Sequence, residues 1–133
     1  MTVTAALNFG PPYATTVPEA LSRAADLIAL DGGWFQIRKG GAKGRDCAGT
    51  AVGSVCGIYA GRGPGEREHD FAVFNAAVRA LHLHLVDAGA ADNIQNHYSA
   101  VNRWNDQPDR TQDQVAAALR EVAEIEEAKA ATS

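Results

Sequence analysis

Trp104-Asn105-Asp106-Gln107-Pro108-Asp109-Arg110-Thr111 is the stretch that decides the fold, because each of its residue types makes a separate demand on the backbone. Asn105 and Asp106 can hydrogen-bond to their own backbone and tolerate turn conformations, and Pro108 pushes Gln107 out of the helical region. A helix must therefore end near Trp104. Thr111, followed three residues later by Gln114, is a capping-box pair in which each side chain accepts the backbone N–H of the other. The pair predicts a new helix from Gln112. Trp104, the last large apolar residue before the turn, is placed to fill the corner between the two helices with its indole N–H directed at an acceptor. An alternative reading makes Trp104, Asp106 and Arg110 a partner-binding hot spot.

Helical periodicity spreads outward from this corner. On the C-terminal side Val115, Leu119 and Val122 share one face of the final helix. Glu121, Glu124, Glu126 and Glu127 load its second half with charge that opposes the helix macrodipole, so its last turns are predicted to fray. On the N-terminal side Ile94, Tyr98, Val101 and Trp104 mark a fourth helix. Phe71, Phe74, Val78, Leu81 and Leu85 form a sustained stripe over about Arg67 to Val86, the most secure core helix, with Arg62-Gly63-Pro64-Gly65 as a linker before it. Thr16, Pro18 and Glu19 open a first helix over about Val17 to Leu30, and Asp31-Gly32-Gly33 stops it.

Two stretches are harder to read. Trp34-Phe35-Gln36-Ile37-Arg38 is aromatic and β-branched enough for a short strand, and Gly40, Gly41 and Gly44 predict a turn after it. Glycines 49, 53, 57 and 61 recur every four residues, which on a helix draws a groove that lets another backbone approach closely. Each interior glycine costs a helix about 0.8–1 kcal/mol. A short, closely packed helix is nevertheless preferred here to an irregular loop. The expected fold is mainly α: a compact bundle of four to five helices with one short strand or β-hairpin after the first. Residues 1–15, with Gly10-Pro11-Pro12, form an extended N-terminal arm, and 16–133 a single domain.

The chain resembles a family of small uncharacterised proteins of actinobacteria and their phages, known as a domain of unknown function. The resemblance is carried by the opening helix Leu21-Ser22-Arg23-Ala24-Ala25-Asp26-Leu27-Ile28, the Gly33-Trp34 step, a small-residue segment containing cysteine, an Ala/Leu-rich helix and the Trp-Asn-Asp-x-Pro-x-Arg-Thr block at 104–111. It runs from about Pro18 to Ala123. It implies fold class and origin, and it carries no activity.

Composition bounds the chemistry. No run of apolar residues is long enough to span a bilayer, and Met1-Thr2-Val3-Thr4 lacks the basic and apolar regions of a signal peptide, so the bacterial host cytoplasm is the expected compartment, with no membrane partner. A net charge of −4 disfavours nonspecific binding to nucleic acid. The charge is uneven. Arg38, Lys39, Lys43, Arg45, Arg62 and Arg67 face only Asp46 and Glu66 over residues 38–67, a basic island in an acidic chain. Arg38, Lys39, Lys43 and Arg45, interleaved with glycines that expose backbone N–H groups, are the leading candidates for contact with a partner.

A thiol enzyme would need Cys56 or Cys47 near His97 or His69, with Asp70 or Asp106 to orient the histidine. Cys56 instead lies among Val55, Gly57 and Ile58, the surroundings of a small buried hydrophobe. The cysteines lack the short spacing of zinc sites, and His82 and His84, expected as helix-flank residues, diverge by about 200° on a helix, so neither metal nor cofactor is expected. The preferred reading is a small non-enzymatic accessory protein that binds a protein partner. A small cysteine-dependent enzyme and a weak nucleic-acid binder are the alternatives. A homodimer is expected if the glycine ridge or the 71–85 stripe is left uncovered.

Overall fold

The computed structural model describes residues 11–34, 36 and 47–132. Among them are five helices: α1 (Val17–Ala29), α2 (Ala48–Cys56), α3 (Pro64–Asp87), α4 (His97–Asn105) and α5 (Gln112–Thr132). The mainly helical class holds, and both helix starts marked by threonine fall where they were expected, the capping box complete at α5 and the N-cap bond alone made at α1. Thr111 N–H donates to Gln114 Oε1 at 3.0 Å and Gln114 N–H to Thr111 Oγ1 at 3.2 Å, starting α5. At α1, Glu19 N–H donates to Thr16 Oγ1, while the Glu19 carboxylate reaches one residue further back to Thr15 N–H.

The bundle is built on an antiparallel pair, α1 against α5, which share the most extensive contact in the fold. Gln112, at the start of α5, donates through Nε2 to the carbonyls of Ile28 and Leu30 at 2.7 and 2.8 Å, which satisfies orphan acceptors at the end of α1. Gly33 closes that end: a Cβ there would lie 2.3 Å from the Leu27 carbonyl oxygen, so the chain can turn this tightly only at glycine. α3 crosses the pair with Val78, Leu81 and Leu85 buried, and α2 lies between α1 and α3. Leu21, Leu27, Ile28, Leu81, Val101, Val115 and Leu119 form the centre of the core.

The glycine-rich segment is a helix, but its ridge receives side chains where a backbone was expected. Tyr98 lies against Gly49, Tyr59 against Gly53 and Tyr13 against Gly57, so every tyrosine of the chain is seated on one face of α2. The helix ends where Gly57 adopts φ 84°. The ridge from Gly49 to Gly57 and most of the 71–85 stripe are therefore covered within the chain, while Gly61 is exposed.

Three boundaries differ from the sequence reading. Pro64, placed in the linker, is the first residue of α3, where its missing N–H costs nothing and its fixed φ suits the first turn. Ile94 lies outside α4, because Asn96 caps that helix by accepting from Ser99 N–H at 3.0 Å. The acidic end of α5 stays helical to Thr132, and Lys129 supplies a cation to the last turn by pairing with Glu126 at 3.1 Å.

The strand or hairpin after the first helix is not found: the described residues contain no strand. Trp34 and Gln36 both send their side chains to the end of α4, where they hydrogen-bond to Asn105. Phe35 and the remainder of that expectation, residues 37–46, lie outside the described residues, as do residues 1–10 of the expected arm. The end of that arm is docked. Ala14 N–H donates to the Val55 carbonyl at 2.9 Å, and Arg23 donates to the Pro12 carbonyl at 2.8 Å.

Candidate functional site

The Trp104–Thr111 block makes a closed polar joint. Asn105 is fully buried at the end of α4, and its Oδ1 accepts from Trp34 Nε1 at 2.7 Å and from Ala48 N–H at 3.1 Å. One turn earlier, Asn102 Oδ1 accepts from Gly49 N–H and from the Cys47 thiol, each at 3.3 Å. Side chains of α4 thus cap the N-terminus of α2, a task usually done by a residue of the capped helix itself. Gln36 Nε2 donates to the carbonyls of Asn105 and Gln107 at 2.9 and 2.7 Å, while its buried amide oxygen meets no donor.

Trp104 fills the corner as its position predicts, and Arg110 seals it. The guanidinium carbon lies 4.5 Å from the indole ring centroid, and Nε donates to the Trp104 carbonyl at 3.0 Å. Burial lowers the Arg110 pKa from its ordinary value. With only 3% of its surface exposed, Trp104 offers no face to a partner in this state. The other candidate contacts, Arg38, Lys39, Lys43 and Arg45, lie outside the described residues.

The cysteines and histidines proposed for catalysis stand apart. Cys47 sits at the N-terminus of α2, buried, with Thr50 and Asn102 as its neighbours. Burial, reinforced by Asp70, pushes the Cys56 thiol up to about 12. At pH 7 that leaves a thiolate fraction on the order of 10⁻⁵. Asp70 itself is buried and held by Arg62 through two contacts of 2.9 Å, a fork that engages both carboxylate oxygens with a cation. His69 is exposed on α3, and His97 contacts His82. Among the described residues no hydrogen bond joins a cysteine to a histidine, and no group of three or more His, Cys, Asp or Glu side chains is placed to hold a metal. No helix among them is long and apolar enough to cross a membrane.

A large concavity lies elsewhere, where α5 runs on past the start of α1. It is an open groove of about 780 Å³. Pro18, Ala123, Ala128 and Ala131 give it an apolar floor, and Glu19, Glu124 and Glu127 rim it. Glu19 is turned toward Arg23, and Arg120 toward Asp26 at 3.5 Å. Arg120 also lines the groove, but three carboxylates stand there against that one cation, and Glu124 and Glu127 have no ion-pair partner among the described residues, so the lining is net negative.

Several of these roles escape the sequence reading. Tyr98, Asn102 and Asn105 follow a 4-then-3 spacing that puts them on one side of α4, a polar stripe that was available as a signal. Gln36 and His82 carried none, since a polar residue is recognised as buried only through partners distant in sequence. Neither a curated protein nor a solved structure matches the chain. Residues 12–125, which hold all of the joint and most of the groove, match the family of unknown function DUF6197, and the protein belongs to that family.

Proposed function

We propose that the protein is a non-enzymatic accessory factor of an actinobacterium or its phage, acting in the host cytoplasm by binding a protein partner that lays a basic segment into the groove between α1 and α5. The origin rests on the sequence resemblance. The binding mode rests on one observation: an apolar floor edged by the carboxylates of Glu124 and Glu127, which complements a segment that presents apolar side chains and cations together. The basic island at Arg38, Lys39, Lys43 and Arg45 supplies a second contact of opposite sign.

Affinity capture from actinobacterial lysate tests this with three forms of the full chain: unaltered, Glu124→Lys/Glu127→Lys, and Lys43→Glu/Arg45→Glu, each checked for helicity by circular dichroism. A stoichiometric partner held by the first form and lost by the second supports the groove. Loss in the third form alone moves the contact to the basic island. Absence of a partner from every form defeats the reading.

A further inference from the structure

His82 is fully buried on α3 and has two ring contacts. Its Nε2 lies 2.8 Å from the carbonyl oxygen of Asp92, in the α3–α4 connection, and its Nδ1 lies 2.7 Å from Nδ1 of His97, the first residue of α4. The acceptors dictate where the protons are. A carbonyl oxygen only accepts, so Nε2 of His82 carries a hydrogen. In the neutral ring Nδ1 of His82 is then a lone pair. His97 must donate to it from its own Nδ1, which leaves the His97 lone pair on Nε2.

This arrangement takes one extra proton and resists a second. A proton added to Nε2 of half-buried His97 leaves the bond between the rings in place. The next must enter Nδ1 of His82, where it would face the N–H of His97 at a separation of 2.7 Å. Two solvated histidines would each be charged below about pH 6.5. Burial first, then His82 and Arg79, also hold His97 below its ordinary value. The sign follows: a base protonated less readily when folded contributes full stability above the unfolded pKa of about 6.5, and that contribution drains away as pH falls through the folded value.

The pair fastens the connection that follows α3. Ala90 N–H, with Ala91 N–H, closes the helix end on the Leu85 carbonyl; Asp92 is held by His82, and Asn96 then caps α4. On its other side this connection walls a cavity of about 110 Å³ against Ala100, Arg103, Trp104 and Gln107. Of the charged groups around the pair, Arg79 on α3 opposes a positive His97, Asp92 belongs to the connection and Arg103 stands on α4 in the cavity wall. His84, the other histidine of this part of α3, turns to Glu126 of α5 at 3.2 Å.

We propose that His82 and His97 form an acid-sensitive latch: when both rings are protonated, the 88–96 connection leaves α3. The latch is separate from the α1–α5 groove, so the two readings stand or fall independently.

The test is ring-nitrogen NMR on the full chain from about pH 8 to about pH 4.5, with amide exchange protection of residues 88–96 read alongside. The latch requires the Nε2–H tautomer of His82 and the Nδ1–H tautomer of His97 at the upper end. Protection in 88–96 should then fall, by up to about tenfold per pH unit, with the protonation of His82 and while core amides stay protected. In His97→Ala, which removes the second charge and leaves the bond from His82 to the Asp92 carbonyl in place, the connection should stay protected across the range and the step should vanish. Independent titration of both rings near pH 6.5 with flat protection in 88–96 would overturn the proposal. So would simultaneous loss of protection throughout the core, or an unchanged step in His97→Ala.

Discussion

The α4–α5 corner and the α1–α5 groove differ in how much the sequence advertises them. The corner is written in tryptophan, asparagine, proline and arginine, and all of that chemistry is spent inside: Asn105 caps a neighbouring helix, and Arg110 covers Trp104. The groove is written in alanine and glutamate, residues that attract no notice on a helix, and its apolar floor and net negative rim stay open. Demanding residues mark where the chain must satisfy buried backbone groups. A surface left for a partner needs only small side chains and charge, so the conspicuous motif is a guide to architecture here and a poor guide to contact.

The sharpest way to break this contrast is Asn105→Ala. The change strands Trp34 Nε1 and the Ala48 N–H, and a buried donor left unpaired costs about 1–3 kcal/mol, so a loss of about 3 kcal/mol is expected in urea unfolding. A loss under about 1 kcal/mol would show that the corner is held by the packing of Trp104 alone. Gly49→Ala comes next. The added Cβ would sit 2.6 Å from a ring carbon of Tyr98 and 2.7 Å from Asn102 Oδ1, neither of which can retreat without disturbing the joint. Overpacking of this kind costs about 1–3 kcal/mol, and we expect about 2.

Gly53→Ala, one turn along the same helix, is the matched control. Its Cβ meets the side chains of Ile58 and Tyr59 at 2.9–3.0 Å, and Tyr59 is 60% exposed, so its ring borders solvent where that of Tyr98 is part of the joint. The gain in helix propensity, about 0.8–1 kcal/mol, offsets the crowding, so the net change should stay within about 1 kcal/mol. Equal losses at both glycines would mean that α2 is limited by the crowding of its whole ridge, and that the joint at Asn102 has no special rigidity.

What could be read in advance divides along sequence distance. The starts of α1 and α5 were legible because a threonine cap acts within four residues, and the stop of α1 because Gly32 and Gly33 act on the turn that they terminate. The strand expectation finds no support among the described residues, where Trp34 and Gln36 answer to Asn105 and Gln107, about seventy residues away, partners that strand propensity does not register. His82 lies four residues after Val78, on the flank of a clearly helical stripe; its burial became intelligible only with His97 and the Asp92 carbonyl beside it. The groove was illegible for a further reason. It arises where α5 outruns α1, a property of two lengths and a packing register that neither helix carries alone.

Glu124→Lys/Glu127→Lys should have the smallest effect on the fold and the most informative one on function. Neither carboxylate has a cation to lose among the described residues, and surface changes of this kind usually shift stability within about 0.5 kcal/mol. Both residues lie in the second half of α5, on the side of the helix where the macrodipole prefers cations, so replacing them with lysine is neutral to slightly favourable, less so at Glu124, which is about two turns from the end. Charges that mildly oppose their own helix, at the rim of an apolar depression, call for an explanation outside the fold. A thermal midpoint raised or unchanged, together with lost capture of the partner, would supply it. A loss of more than about 1 kcal/mol of stability would instead make the carboxylates part of the structure, and the contrast between corner and groove would disappear.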